Sequence, residues 1–374
     1  MKGSVRARGK NSWQLSIDLG RDASGKRLRK YVTVQGQKSD AQRKLREILS
    51  TIDKGIPVDG KDITVSEFMR RWLADYVSVN TRPRTYQRYE SDVRLFLEPA
   101  FGSIKLSTLS PWDVQNMESN LLASGKSNSS VRHIHAVLKN ALRRAMRWGL
   151  IHRNVADLVD APRQNRTEVT PPTREEVGKI LRAANETEYG PVLSFLVDSG
   201  CRRGEALAFS WDGIDLDMAI AYVSRNLQRI GQEGLQFLEP KSKQSRRPIK
   251  LGTRTVEMLR EHRGKQLLKK MELSDIWEDN NLVFPGPMGK PLDPATLTRN
   301  FIKLVRGLGL KNVRLHDLRH FHATQMYASG LKLKDLQHRL GHSSIAITAD
   351  IYTHADIDMQ TEAVKAFEDS MSGL

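Results

Sequence analysis

Cys201 is the only cysteine in 374 residues, which rules out an internal disulfide and a zinc site of the multi-cysteine kind. The expectation is a chain at home in a reducing cytoplasm, with Cys201 a small buried residue in a helix-start turn. No run approaches the ~18 apolar residues of a membrane-spanning helix. Met1-Lys2-Gly3-Ser4-Val5-Arg6 has no apolar core for a signal peptide, and no lipidation motif is found. A membrane partner is therefore not expected. Nucleotide chemistry is absent as well: Gly125-Lys126-Ser127 has Asn120 where a phosphate-binding loop needs glycine, and there is no dinucleotide fingerprint and no Gly-x-Ser-x-Gly. No His-Glu-x-x-His and no suitably spaced carboxylate pair accompanies His320 and His322, so neither a metal nor another cofactor is expected.

Acidic residues are in deficit. Against 43 Asp and Glu stand 60 Lys and Arg, a formal charge of +17, and a basic face gains affinity for nucleic acid by releasing its counterions. The excess is +8 over residues 1–62, +6 over residues 63–168 and only +3 over the last 206, so the general attraction to DNA belongs to the first two segments.

The length and pattern suggest three domains. In residues 1–60, Gly3 to Arg8, Trp13 to Leu19 and Arg27 to Gln35 read as three short strands, followed by a helix from Ser39 to about Lys54. Arg6, Arg8, Arg27, Arg29 and Lys30 cluster on these strands, as in a sheet laid into a DNA groove. The other reading is a solvated charge pattern that keeps edge strands apart. Residues 61–163 read as all-helical, with helical periodicity through Val65 to Leu73, Thr85 to Leu97, Pro111 to Ala123 and Ser129 to Trp148. The loops Asn80 to Thr85 and Ser124 to Ser129 place cations and hydroxyls at helix starts. Arg84, Lys126 and Arg132 are the candidate phosphate contacts there, although each hydroxyl serves equally as an ordinary N-cap. Residues 164–172 form a polar, proline-closed linker. Residues 173–374 read as mainly helical around a small antiparallel sheet, with strands in Ile214 to Val223 and Leu235 to Leu251, the latter turning around Lys241 to Ser245.

The chemistry sits in this last segment. It holds Gly200-Cys201-Arg202-Arg203-Gly204-Glu205, then His316-Asp317-Leu318-Arg319, then Leu340-Gly341-His342, with Tyr352 ten residues on. Two arginines can neutralise a phosphate, two histidines can hydrogen-bond or shuttle protons, and a phenol can attack phosphorus to leave a covalent ester. Taken singly each motif is common. In this order, with a lysine-bearing hairpin between the first two, residues 170–360 resemble the tyrosine recombinase (integrase) family of phages and conjugative transposons.

The resemblance implies a metal-free DNA strand-exchange enzyme. Arg202 and Arg319 would clamp the scissile phosphate, His316 and His342 would complete its cradle, and Tyr352 would be the nucleophile. A lysine on the hairpin would protonate the leaving 5′ oxygen; Lys243 fits the turn better, with Lys241 the alternative. The phenol's ordinary pKa of about 10 calls for nearby cations or a base, for which His316 is chosen. Glu205 resembles the family's acidic residue and reads as the partner of a cation or as a helix cap. Of the adjacent arginines only Arg202 can face the site, leaving Arg203 to DNA or solvent.

Residues 61–163 then resemble a core-binding domain and residues 1–60 an arm-binding domain, so the expected partners are double-stranded DNA at core-type and arm-type sites, a homotetramer on that DNA, and an excisionase or host DNA-bending protein. The tail after Tyr352 crosses to a neighbouring protomer in the family, or packs locally. Two further readings are a type IB topoisomerase-like or chromosome-dimer-resolving enzyme, and a DNA-binding regulator with a decayed catalytic domain.

Overall fold

The computed structural model describes residues 3–21, 27–53, 63–164, 171–240, 245–342 and 344–345, together with 364, 368 and 371. The chain falls into two compact units, Met1–Arg166 and Thr167–Leu374.

The first unit begins with an antiparallel sheet of β1 (Gly3–Gly9), β2 (Ser12–Arg21) and β3 (Arg27–Gln35). Helix α1 (Lys38–Asp53) follows. Alternation along β2 sends Leu15 and Ile17 to one face, where they are buried with Ala41 and Leu45 of α1 and flanked by Val5, Val32 and Val34. The opposite parity carries Arg6, Arg8 and Arg29, all exposed, with Tyr31 56% exposed among them. Gln14 pairs with both Arg6 and Thr33, and Asp18 pairs with Arg29, which fixes these residues in register.

The helices that follow bury a core of their own. Helix α2 (Val65–Arg71) starts on a capping box: Thr64 Oγ1 accepts from Glu67 N, and Glu67 returns the bond to Thr64 N. It runs on through a π-helical turn, Trp72–Val77, into α3 (Ser78–Asn80), so the helix expected to stop near Leu73 reaches Asn80. Likewise α4 (Pro83–Asp92) passes through a π turn, Val93–Leu97, into α5 (Glu98–Phe101). Trp72, at the start of the first π stretch, stacks on Tyr89 of α4 with centroids 5.5 Å apart. Helices α6 (Pro111–Ala123) and α7 (Asn128–Arg147) complete the set, capped by Ser110 and Ser127. Ser127 therefore acts as an N-cap. Phe68, Trp72, Leu97, Phe101, Ile134, Leu138 and Leu142 are fully buried. A buried pair, Glu118 Oε1 with His135 Nδ1 at 2.5 Å, joins α6 to α7.

In the second unit α8 (Arg174–Asn185), α9 (Gly190–Ser199) and the short α10 (Arg203–Ala206) precede the strands. The sheet differs from the expectation. β5 (Ile220–Val223) is flanked by β4 (Ile214–Asp215) and β8 (Arg247–Lys250), while β6 (Asn226–Ile230) pairs with β7 (Gly234–Leu238) in a separate hairpin. Leu235 to Leu251 is thus not one hairpin folded on itself: its two halves have different partners, because Asn226–Ile230 is a strand that pattern reading passed over. Of the expected turn at Lys241 to Ser245, residues 241–244 lie outside the described residues.

Helices α11 (Thr253–Glu272), α12 (Pro294–Gly307), α13 (Asp317–Ala328) and α14 (Leu333–Leu340) complete the unit. Its core joins Phe195, Phe209 and Phe284, with ring centroids 5.2 Å apart in both contacts of Phe195, to Ile180, Leu259, Leu297, Phe301 and Leu318. Among the described residues no helix is long and apolar enough to cross a membrane.

Candidate active site

Two helix ends create the site. Helix α9 ends at Gly200 and α14 at Gly341, both in the left-handed region (φ 64° and 68°) that glycine enters without a Cβ penalty. Neither position has room for a side chain. A Cβ on Gly200 would overlap the His322 ring, and one on Gly341 would come within 2.7 Å of Arg247 Nη1. The two turns leave carbonyl oxygens that three guanidinium groups collect.

Arg319, 4% exposed on α13, donates through Nη1 to Gly200 O and through Nη2 to Leu340 O, both at 2.7 Å. Arg202, half-buried at the start of α10, donates through Nη2 to Gly341 O at 2.9 Å and through Nη1 to Glu205 Oε1 at 2.8 Å. Glu205 Oε2 also accepts from the Arg202 backbone N at 2.9 Å, so this carboxylate both holds a cation and caps a helix. Gly204 carries no side chain because α10 lies against β6: a Cβ there would meet Leu227 O at 2.7 Å.

The histidines complete the cluster. His342 is buried beside Arg319 and Arg202, with its backbone N and O bonded to Gln337. Burial, followed by the charges of Arg319, Arg202 and Arg247, pulls its pKa down to about 3. His316, at the N-terminus of α13, sits edge-on to His320 with centroids 4.8 Å apart. Loss of solvent and the neighbouring His320 and Arg319 bring it down to about 4. Both rings are therefore neutral at pH 7, each with one N–H donor nitrogen and one acceptor nitrogen. Burial and Arg202 lower Arg319 to about 9, which leaves it a cation. Cys201 is 1% exposed, contacts Ser199 Oγ at 3.1 Å, and has its thiol pushed up to about 12 chiefly by burial.

The fold thus brings together Arg202, Glu205, His316, Arg319 and His342. Tyr352, Lys241 and Lys243 lie outside the described residues, as does most of the tail beyond Ser344. Arg203 does not turn to solvent: its Nη1 donates to Thr298 Oγ1 on α12. His322 is committed elsewhere, with Nδ1 donating to Val197 O at 2.8 Å while Nε2 accepts from Arg339 Nε at 3.0 Å. Of the candidate phosphate contacts in the helical segment, Arg84 is exposed. Lys126 lies 5.2 Å over the Phe96 ring, and Arg132 donates to Pro162 O at 2.9 Å.

Sequence reading passed over two arginines. Arg247 on β8 is 7% exposed and donates to Glu205 Oε2 (3.0 Å), Ser245 O (3.1 Å) and Arg339 O (2.5 Å). Arg339 spans Lys250 O and Asp198 O. The available signal was parity, since Arg247 shares its strand face with the fully buried Ile249. A separate cleft of about 500 Å³, lined by Tyr189, His262, Trp277 and Phe284, contains none of these groups.

The model of the Phage integrase family matches residues 173–359, and that of the phage integrase N-terminal SAM-like domain matches residues 64–122. A tyrosine recombinase XerC-like protein of Caldanaerobacter subterraneus subsp. tengcongensis is 27% identical, over 96% of this chain and 97% of its own. An integrase of Streptomyces ambofaciens is 29% identical, over 91% and 88%. Among solved structures, the Tn1549 transposon integrase in complex with a circular intermediate DNA superposes with a TM-score of 0.69 at 19% identity, covering 82% of this chain and 99% of that one.

Proposed function

The chain belongs to the phage integrase family of tyrosine recombinases, and from that premise we propose that it integrates and excises a mobile element by cutting and rejoining duplex DNA through a 3′-phosphotyrosine. One observation supports the site assignment above the others. Arg202 and Arg319 reach across from different elements to neighbouring carbonyls, those of Gly341 and Leu340, with His342 next in the chain. Two guanidinium groups are thereby held beside the same turn, and guanidinium hydrogens complement the oxygens of a phosphodiester without any proton transfer.

In the proposed reaction the Tyr352 oxygen attacks phosphorus and loses its proton to a base. His316 suits that role, because an imidazole kept neutral at pH 7 has an acceptor to offer. The bond from phosphorus to the 5′ oxygen breaks, and the departing oxygen takes a proton from Lys243, or from Lys241. His342 donates a hydrogen bond to a non-bridging oxygen. The reverse sequence, with a 5′ hydroxyl of another strand attacking the phosphotyrosine, completes exchange and consumes no nucleotide.

The remaining assignments follow the same reading. Residues 1–60 hold arm-type sites through the Arg6, Arg8 and Arg29 face. Residues 61–163 hold core-type sites through Arg84, Lys126 and Arg132, residues 164–172 link them to the catalytic domain at 173–374, and a homotetramer assembles on the DNA in the cytoplasm. With the crossover junction recovered by sequencing the excised circle, a nicked duplex spanning it should trap a covalent protein–DNA adduct with the native chain and none with Tyr352→Phe. An adduct that survives this substitution would refute the nucleophile assignment.

A further inference from the structure

Arg247 spends four of its five N–H donors inside the protein, on Glu205, Ser245 O and Arg339 O. Glu205 is nevertheless shared. Its Oε1 lies 2.8 Å from Arg202 Nη1 and 3.4 Å from Arg247 Nη1, and its Oε2 lies 3.0 Å from Arg247 Nη2. One carboxylate thus stands between two guanidinium groups, one nearly inaccessible to water and the other half-open toward the phosphate position. A charge pair within ~4 Å is strong where water is excluded, so the group that neutralises Glu205 decides how much positive charge Arg202 has left to present.

Resting on the strand-exchange reading above, we propose that Arg247 is a positioning residue that neutralises Glu205 and thereby leaves the charge of Arg202 available to the scissile phosphate. Arg202, Arg247 and Arg319 against Glu205 leave two net positive charges in the cluster. Without Arg247 one remains, and Glu205 draws Arg202 wholly to itself. The same side chain sets the position of the neighbouring segments. It draws in the carbonyl of Arg339 just before the Leu340–His342 turn, and that of Ser245, which adjoins the segment carrying Lys241 and Lys243. A Cβ at Gly341 would come within 2.7 Å of Arg247 Nη1, so a side chain there would have to displace this guanidinium.

The test uses the full chain and a nicked duplex spanning the sequenced crossover junction, reading the single-turnover rate of covalent adduct formation together with non-covalent affinity for the same duplex. Losing one directed charge at a phosphoryl site typically costs ~100-fold in rate, and Arg247→Met is expected to slow adduct formation by about that factor with affinity within about three-fold. The deciding variant is Arg247→Met combined with Glu205→Gln. Removing the uncompensated carboxylate should return about ten-fold of the lost rate. If the double variant is as slow as Arg247→Met or slower, the proposal is overturned, because a merely structural role makes the two losses accumulate. Should the methionine variant fail to fold, Arg247→Lys keeps the charge and is expected within about ten-fold of native; a loss there of a hundred-fold in a folded protein also overturns it. Failure of the strand-exchange reading looks different, because native protein would then form no adduct, or Tyr352→Phe would still form one.

Discussion

Acid should loosen the second unit, Thr167–Leu374, through His322, and the size of the effect follows from its surroundings. The ring is 5% exposed, Nδ1–H donates to Val197 O, and Nε2 accepts from Arg339 Nε. Only the neutral form fits, because a proton on Nε2 would turn an acceptor into a donor facing a guanidinium. Burial, with Arg339 next, holds the folded pKa at about 3, against an ordinary 6.5. The folded pKa is depressed, so between these values the unfolded chain binds the extra proton. The contribution is whole above pH 6.5 and is lost as pH falls toward 3. At ~1.4 kcal/mol per pH unit, the loss between pH 6.5 and 4.5 is roughly 3 kcal/mol. In His322→Asn the amide can take the place of Nδ1–H toward Val197 O and does not titrate. Urea unfolding followed by the fluorescence of Trp211 and Trp277 should show native protein losing about 3 kcal/mol more than the variant over that range. Parallel losses in the two proteins would refute the reasoning.

Gly341→Ala adds a Cβ at a φ of 68° and 2.7 Å from Arg247 Nη1; it should cost about 2 kcal/mol on thermal unfolding and depress adduct formation while leaving DNA affinity nearly unchanged. Glu118→Ala strips the buried His135 of its partner and should destabilise the helical core by about 3 kcal/mol, read as a lower urea midpoint with the second unit's own transition unmoved. Ser127→Ala removes the cap of α7, a loss of ~1 kcal/mol that Ser127→Asp should largely restore. Removing residues 1–60 should abolish retention on arm-type DNA yet leave cleavage of a core-type duplex detectable, since the β1–β3 sheet packs its core on α1. Loss of core cleavage in a folded truncation would contradict that division.

Much of the architecture was legible because it is written locally. Strand β2 alternates around Leu15 and Ile17, and α6 and α7 begin at serines with the spacing of caps. The π turns had no such signal, since neither Trp72–Val77 nor Val93–Leu97 departs from ordinary helical periodicity. Strand β6 was passed over because Asn226–Ile230 offers only five residues, with Arg229 and Gln228 diluting the apolar pattern. The site divided in the same way. Arg202, Arg319, His316 and His342 stand in motifs that can be read in a line. Arg247 cannot: a buried cation is tolerable only beside an anion, and its anion, Glu205, is 42 residues away. His322, for which the sequence argued only against a metal site, finds its partners in the fold alone, with Val197 O and Arg339 at its two nitrogens.

Cys201, buried next to Arg202 with its thiol held at about 12, gives the enzyme an internal reporter. A thiol reagent in neutral solution meets almost no thiolate there and has no path to it, so the rate of labelling measures how often the turn between α9 and α10 comes apart. Because the chain has no other sulfhydryl, that rate needs no correction for background sites. Slower labelling on a DNA duplex would time the tightening of the pocket from inside, without altering a single residue.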